Sequence, residues 1–173
     1  MRLAQTIKAA FGLMLFAAIG AQAQVSRSGY VLPMNLALEA ALEAVSTCAG
    51  DGYDVTATVV DVSGTPQVVL RGDHVTIHTR DSSFRKAYTI VTMGRIFHID
   101  ATSGFVEVVS KYPALAGQAL SNTPNVTALS GGIAFKAGDE VVAGLGVGGS
   151  PGGDKDEACA RTGVARVQAR LPH

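Results

Sequence analysis

The chain has 173 residues, with 14 basic and 14 acidic side chains, and this length fits one domain. The even charge balance excludes the strongly basic surface that nucleic-acid binding requires. No segment after residue 23 is apolar for long enough to span a bilayer.

The first 23 residues have the three parts of a secretory signal. Arg2 and Lys8 come first, an apolar run over residues 9–20 follows, and Ala21-Gln22-Ala23 supplies the small residues of a cleavage site. Losing both basic residues leaves 12 against 14 acidic ones, a formal charge of −2. We expect a mature domain over residues 24–173 that is periplasmic or extracellular and not attached to a membrane after cleavage.

The first half of the mature chain predicts a helix followed by a β-hairpin. Apolar residues at helical spacing indicate a helix over residues 34–49, with Asn35 as its N-cap. Alternating β-branched residues indicate a strand over residues 54–61, and a turn leads into a second strand over residues 67–71.

The second half of the chain predicts further helices around a second hairpin. In order, these are a helix from Asp81 or Ser82 to about Arg95, a helix over 103–111, an irregular connection over 115–127, strands over 128–135 and 140–147, and a last helix over 151–172. Residues 105–109 fit a strand equally well. The order of elements predicts an α+β domain with a mostly antiparallel sheet and helices on one or both faces.

A glycine-rich motif lies near the end of the second hairpin. Residues 144–149 read Gly-Leu-Gly-Val-Gly-Gly, the G-x-G-x-x-G pattern of dinucleotide-binding turns. Asp154, Asp156 and Glu157 open the next helix and would repel a phosphate there, and the chain ends before a second βα unit. We interpret the motif as a strand that lets another backbone or a flat ligand come close.

The segment over residues 74–79 is the candidate ligand site. It contains His74 and His78 and is predicted to be a loop between a strand and a helix, where side chains on a fixed scaffold can reach a ligand. His78 precedes Thr79, and the next helix begins with basic residues. Neither H-E-x-x-H nor C-x-x-C occurs, so no zinc spacing is present.

Several segments of the chain match one family in order and spacing. They are residues 36–41, 59–64, 78–79 with Ser83, 86–89, 131–134 and 142–149. Together they resemble the GlcG/HbpS-like family of small haem-binding proteins over roughly Asn35 to Leu171. The sequence departs from the family where Ile133-Ala134 follows the paired glycines, because proline is usual there.

The resemblance implies a fold, an assembly and a ligand. The fold is a single-domain antiparallel sheet flanked by helices, related to the profilin-like folds. The assembly is a homo-oligomer of up to eight copies. The ligand is haem or a related tetrapyrrole in exported members, and the threonine that the family associates with iron maps to Thr79.

Two hypotheses follow for the function. In the first, His78 and Thr79 contact haem iron and the cations Arg80, Arg85 and Lys86 hold the propionates. Such a protein sequesters, buffers or senses haem without turnover, and no catalytic residue is assigned. In the second, an enzyme acts on a small metabolite with His78 as general base in a subunit-interface pocket.

The two cysteines have two alternative states, a disulfide or a pair of free thiols. Cys48 and Cys159 are an even pair in a chain expected to be exported, and that compartment favours a disulfide over two buried thiols. The resemblance implies that their helices lie side by side on one face of the sheet, where the bond is feasible.

We predict that export removes the signal after Ala23. Mass spectrometry of the exported protein is expected to give an N-terminus at Gln24, because the small residues before that bond are those that signal peptidases accept. An intact Met1 on the folded, exported protein would contradict the prediction.

Overall fold

A computed structural model describes residues 28–173, and the predicted signal lies outside these described residues. The described part contains α1 (Met34–Gly50), β1 (Thr56–Asp61), β2 (Pro66–Arg71), α2 (His78–Phe97), α3 (Thr102–Lys111), α4 (Ala114–Ser121), β3 (Gly132–Ala137), β4 (Glu140–Gly148) and α5 (Gly153–Gln168). The strands form one antiparallel sheet in the order β2-β1-β4-β3. The predicted single α+β domain is confirmed. None of the described helices is both long and apolar enough to cross a membrane.

The start of α2 differs from its predicted position. The helix begins at His78, not at Asp81 or Ser82, so His78 and Thr79 lie in its first turn rather than on a loop. The carbonyl of Thr76 accepts hydrogen bonds from both the backbone N–H of Thr79, at 3.2 Å, and its hydroxyl, at 2.7 Å. These two bonds form a helical turn before Asp81 and Ser82, the residues predicted to cap the helix.

The helix predicted over 103–111 is confirmed, and its strand alternative over residues 105–109 is excluded. Two other local predictions are corrected. The connection predicted as irregular contains α4, which begins after Pro113 as proline permits. Asn35 lies inside α1, whose N-cap is Pro33.

Helices α1 and α5 pack side by side on one face of the sheet. A Cβ atom at Gly163 of α5 would collide with the carbonyl oxygen of Ala40, so the two helices touch at their backbones. Cys48 and Cys159 form a disulfide between them, with Cα atoms 5.6 Å apart. The predicted disulfide is therefore confirmed, and it fixes α5 to α1.

Helix α2 lies on the other face and contacts the backbone of β4. A Cβ at Gly144 would lie 2.7 Å from the carbonyl oxygen of Ala87, and one at Gly146 would overlap the carbonyl oxygen of Ser83. Both contacts are closer than real Cβ atoms allow. This confirms that the glycine-rich motif is a strand that admits another backbone.

Two pairs of buried hydroxyl groups fix α2 on the neighbouring strand. Thr79 Oγ1 lies 2.7 Å from Thr56 Oγ1, and Ser83 Oγ lies 2.7 Å from Thr58 Oγ1. One turn of helix separates Thr79 from Ser83, and two residues of β1 separate their partners. The pairs therefore set the position of the helix along the strand as well as its distance from it.

A buried ion pair connects α2 with the beginning of α5. Lys86 Nζ lies 2.6 Å from Asp156 Oδ2, and the two side chains are only 4% and 3% exposed. The other carboxylate oxygen of Asp156 accepts hydrogen bonds from the Ser150 backbone N–H, at 3.0 Å, and from the Ser150 hydroxyl, at 2.7 Å. Since α2 and α5 lie on opposite faces, the pair joins the two layers around the sheet.

We predict that Gly146→Ala destabilises the fold, by about 1–3 kcal/mol or more, because the added methyl group overlaps the backbone of α2. Urea unfolding measures the loss. Gly50→Ala is the matched control, since a Cβ there has no atom within 4 Å. Equal stability of the Gly146→Ala variant and the wild type would show that the close contact is wrong.

We also predict strong energetic coupling between Lys86 and Asp156. Lys86→Met leaves a buried carboxylate unpaired and is expected to cost about 3–5 kcal/mol. Adding Asp156→Asn removes that charge and keeps the contact of residue 156 with Ser150. The double variant is therefore expected to lose less free energy of unfolding than the sum of the losses in the two single variants.

The control for this double-mutant cycle is the exposed pair Arg85–Asp81, which spans one helical turn at 3.2 Å. Its coupling is expected to be about 0.3–0.5 kcal/mol. If the two cycles give the same small coupling in urea unfolding, the ion pair does not stabilise the junction between the layers.

Candidate functional site

The first turn of α2 presents one of the predicted ligand residues to solvent and buries the next. His78 is exposed, whereas Thr79 is 1% exposed and faces the sheet. The difference follows from helical geometry, because successive residues point about 100° apart. Only the imidazole of this pair is open to an incoming ligand in this conformation.

The hydroxyl of Thr79 is occupied by contacts within the protein. It donates to the carbonyl of Thr76, so in its pair with Thr56 it accepts the hydrogen bond. Both contacts hold the first turn of α2 in place. Iron contact at Thr79 stays a prediction, and it would require this turn to open.

The three predicted cations lie in three different environments. Arg85 follows His78 by seven residues, two turns of helix, so both belong to one exposed ridge of α2. Arg80 is exposed on the other side of the helix, because two residues rotate the direction by about 200°. Lys86 is buried and paired with Asp156. The structure therefore brings His78 and Arg85 together and separates both from Arg80 and Lys86.

The ridge of His78 and Arg85 also contains one acidic group. Asp81 Oδ2 lies 3.2 Å from Arg85 Nε, and both side chains are largely exposed. An exposed pair of this kind contributes little free energy, so a ligand carboxylate can replace Asp81 as the partner of Arg85 at low cost.

An apolar surface next to the ridge was missed by sequence reasoning. Ile77, which immediately precedes α2, is 68% exposed. Phe84 and Tyr88 follow at intervals of seven and four residues, and their ring centroids are 5.9 Å apart. The sequence contains a signal for this surface. Ile77 is a large apolar residue immediately before His78, and an apolar side chain beside a candidate iron-binding residue suits a flat bound molecule.

A site for a bare metal ion needs several ligating side chains held close together. No cluster of three or more His, Cys, Asp or Glu side chains within residues 28–173 is arranged to hold a metal ion. Haem brings its own four nitrogen ligands and takes only axial ligands from a protein. Of the residues predicted to bind haem, the structure exposes the imidazole of His78 and the guanidinium of Arg85 on one ridge.

Comparisons with known proteins identify the family. The family model described as "Haem degrading protein HbpS-like" matches residues 32–165. The crystal structure of a double mutant of Streptomyces reticuli HbpS is 33% identical, covers 95% of this chain and 99% of its own, and superposes with a TM-score of 0.73. No curated protein matches the sequence.

Two further solved structures share the fold. The chain of a PduOC:heme complex is 25% identical over 79% of this chain and 94% of its own, with a TM-score of 0.68. Klebsiella pneumoniae ORFY is 20% identical over 81% of this chain and 92% of its own, with a TM-score of 0.70. The second likeness concerns the fold alone. Since the family model spans most of the chain and HbpS is similar over almost its whole length, the protein belongs to the HbpS-like family.

Proposed function

We propose that this protein is an exported haem-binding protein that holds haem, or a related tetrapyrrole, at the first turns of α2. The observation that carries the proposal is the exposed imidazole of His78 on one ridge with Arg85, in a member of a haem-related family. The haem complex formed by the similar PduOC chain supports it. Its role would be to sequester, buffer or sense haem.

Each part of the proposed site has a distinct task. The imidazole of His78 is the group that would hold the haem iron, through a ring nitrogen. Arg85 holds a propionate, because a guanidinium can donate two parallel hydrogen bonds to one carboxylate. Ile77 supplies an apolar contact for the edge of the ring. The bound haem supplies an iron centre and a strong visible absorption band.

The scaffold beneath these residues keeps them in a fixed position. The hydroxyl pairs Thr56–Thr79 and Thr58–Ser83 anchor the first two turns of α2 to β1. A site on an anchored helix is positioned more closely than one on a loop. In this proposal Thr79 serves the site by orienting His78, and direct contact of Thr79 with iron is the alternative that the experiment below separates.

A single copy leaves the ridge open to solvent on one side. Haem is largely apolar, so binding on an open helix ridge would leave much of the ring in contact with water. A homo-oligomer of up to eight copies, in which a second copy covers this ridge, removes that cost. We therefore include self-assembly in the proposal.

We predict that His78→Ala lowers haemin affinity at least tenfold and shifts the Soret band, since it removes the nitrogen that would hold the iron. Spectrophotometric titration of the purified protein measures both. His173→Ala is the matched control, because His173 is an exposed histidine at the far end of the chain. Unchanged affinity and spectrum in His78→Ala would reject this site.

A companion variant tests the role of the buried hydroxyl. Thr79→Val keeps the side-chain volume but removes the hydrogen bonds to Thr76 and Thr56. If Thr79 only orients the helix, the variant retains the wild-type Soret position with weaker binding. A changed Soret position with unchanged His78 dependence would indicate iron contact at Thr79.

Haem degradation is the second candidate, because the matching family model carries that description. The same titration, followed over time with an added reductant, separates the two activities. Stable absorbance supports binding alone, and steady loss of the Soret band relative to free haemin supports turnover.

A further inference from the structure

A cleft lies at the end of the sheet where α1 ends, β1 begins and β2 ends. Its walls come from the last turns of α1, from residues 53–55 and from residues 71–73. The cleft has a volume of about 370 Å³, which is at the lower end of the range for small-molecule sites. Since α1 and α2 lie on opposite faces of the sheet, this cleft is separate from the ridge of His78 and Arg85.

The floor of the cleft is apolar, and a glycine keeps it open. Val45 packs against the core and Val55 is 1% exposed, so both are fixed in place. A Cβ atom at Gly72 would lie 3.5 Å from Cγ1 of Val45 and 3.2 Å from the carbonyl oxygen of Val55. A larger side chain at residue 72 would therefore fill the space between the two valines. Glycine leaves that space to the apolar part of a bound molecule.

Tyr53 forms a wall of the cleft and is held from two helices. Its backbone N–H donates a hydrogen bond to the carbonyl of Cys48, at 2.8 Å, near the end of α1. The ammonium group of Lys155, in the first turn of α5, lies 4.9 Å from the centroid of the Tyr53 ring, within the range of a cation–π contact. The disulfide joins the same two helices, so the wall has a defined position.

Three exposed charged side chains share the cleft without pairing with one another. Arg71, Asp54 and Asp73 all line it, and none of them belongs to an ion pair within residues 28–173. Most of the other arginines in this part of the chain do pair with a carboxylate. One positive and two negative charges are therefore available to a bound molecule.

This set of charges selects the kind of molecule that fits. A simple anion would meet two carboxylates, and a simple cation would meet the guanidinium of Arg71. A molecule with one carboxylate and two cationic groups matches every charge in the cleft with its opposite. The apolar floor suits a hydrocarbon stem between those groups, because such stems lie along apolar surface while their charged ends stay in water.

We propose that the cleft binds a free basic amino acid of the kind represented by lysine and arginine. Arg71 binds the α-carboxylate, since a guanidinium can donate two parallel hydrogen bonds to one carboxylate. Asp54 and Asp73 bind the α-ammonium group and the cation of the side chain. The stem of the amino acid lies over Val45 and Val55. This site is independent of haem binding.

Isothermal titration calorimetry on the purified protein tests each group of the ligand separately. L-lysine is compared with cadaverine, which lacks the carboxylate, with Nα-acetyl-L-lysine, which lacks the α-ammonium group, and with L-norleucine, which lacks the side-chain cation. Each analogue is expected to bind about tenfold or more weakly than L-lysine, because one charge in the cleft is left without its partner. If neither L-lysine nor L-arginine binds, or if any analogue binds as tightly as L-lysine, the proposed ligand class is wrong.

Substitutions test whether the binding belongs to this cleft. Arg71→Gln and Asp73→Asn are each expected to weaken L-lysine binding about tenfold or more and to leave haemin binding unchanged. The matched controls are Lys111→Gln on α3 and Asp139→Asn between β3 and β4, which remove exposed charges elsewhere and are expected to bind L-lysine as the wild type does. Since all four side chains are exposed, circular dichroism is expected to show folded protein in each case. L-lysine binding that survives Arg71→Gln overturns the assigned site.

Discussion

The direct contact between the backbones of α2 and β4 is the constraint on which the rest of the structure depends. A helix usually rests on a sheet through a layer of side chains, with its axis about 10 Å away. Here Gly144 and Gly146 remove that layer, and the carbonyls of α2 lie where Cβ atoms would otherwise be. A helix held this closely cannot shift along the sheet without a collision, so its first turn has a defined position.

The close contact also determines which groups can stabilise the interface. At the first two turns of α2, the space between this helix and β1 holds hydroxyl groups that hydrogen-bond to one another. Further along the helix, Val60 of β1 packs with Ile90 and Val91. Each bond between hydroxyls contributes about 1 kcal/mol, whereas leaving one of these buried hydroxyls unpaired costs about 1–3 kcal/mol. Because leaving a hydroxyl unpaired costs more than the bond contributes, the pairs fix the position of α2 on β1 more than they stabilise the fold. The ion pair of Lys86 and Asp156 acts in the same way between the two layers.

The sequence predicted the elements whose pattern is local. Alternation identified β1, helical spacing identified α1 and α5, and the two cysteines on those helices form the disulfide. The start of α2 was misplaced because its first turn is closed from Thr79 back to Thr76, and not by an N-cap after it. Lys86 was predicted to hold a propionate, and its buried partner Asp156 was not foreseen because it lies 70 residues further along the chain. Neither contact leaves a periodic signal in the sequence.

The small side chains that let the layers approach closely also affect which residues are exposed on the outer surface. Glycine, alanine and valine fill much of the interior, and the few large side chains that are fully buried include Phe105, Phe135 and Leu145. Other large apolar residues, among them Leu42, Ile77 and Leu115, remain exposed on α1, beside His78 and on α4. A core of small residues has no room for them, and their exposure costs free energy in a single copy. Under the proposed function, contact with a flat apolar ligand beside His78 recovers part of that cost, which connects the closely packed interior to a function carried out at the surface.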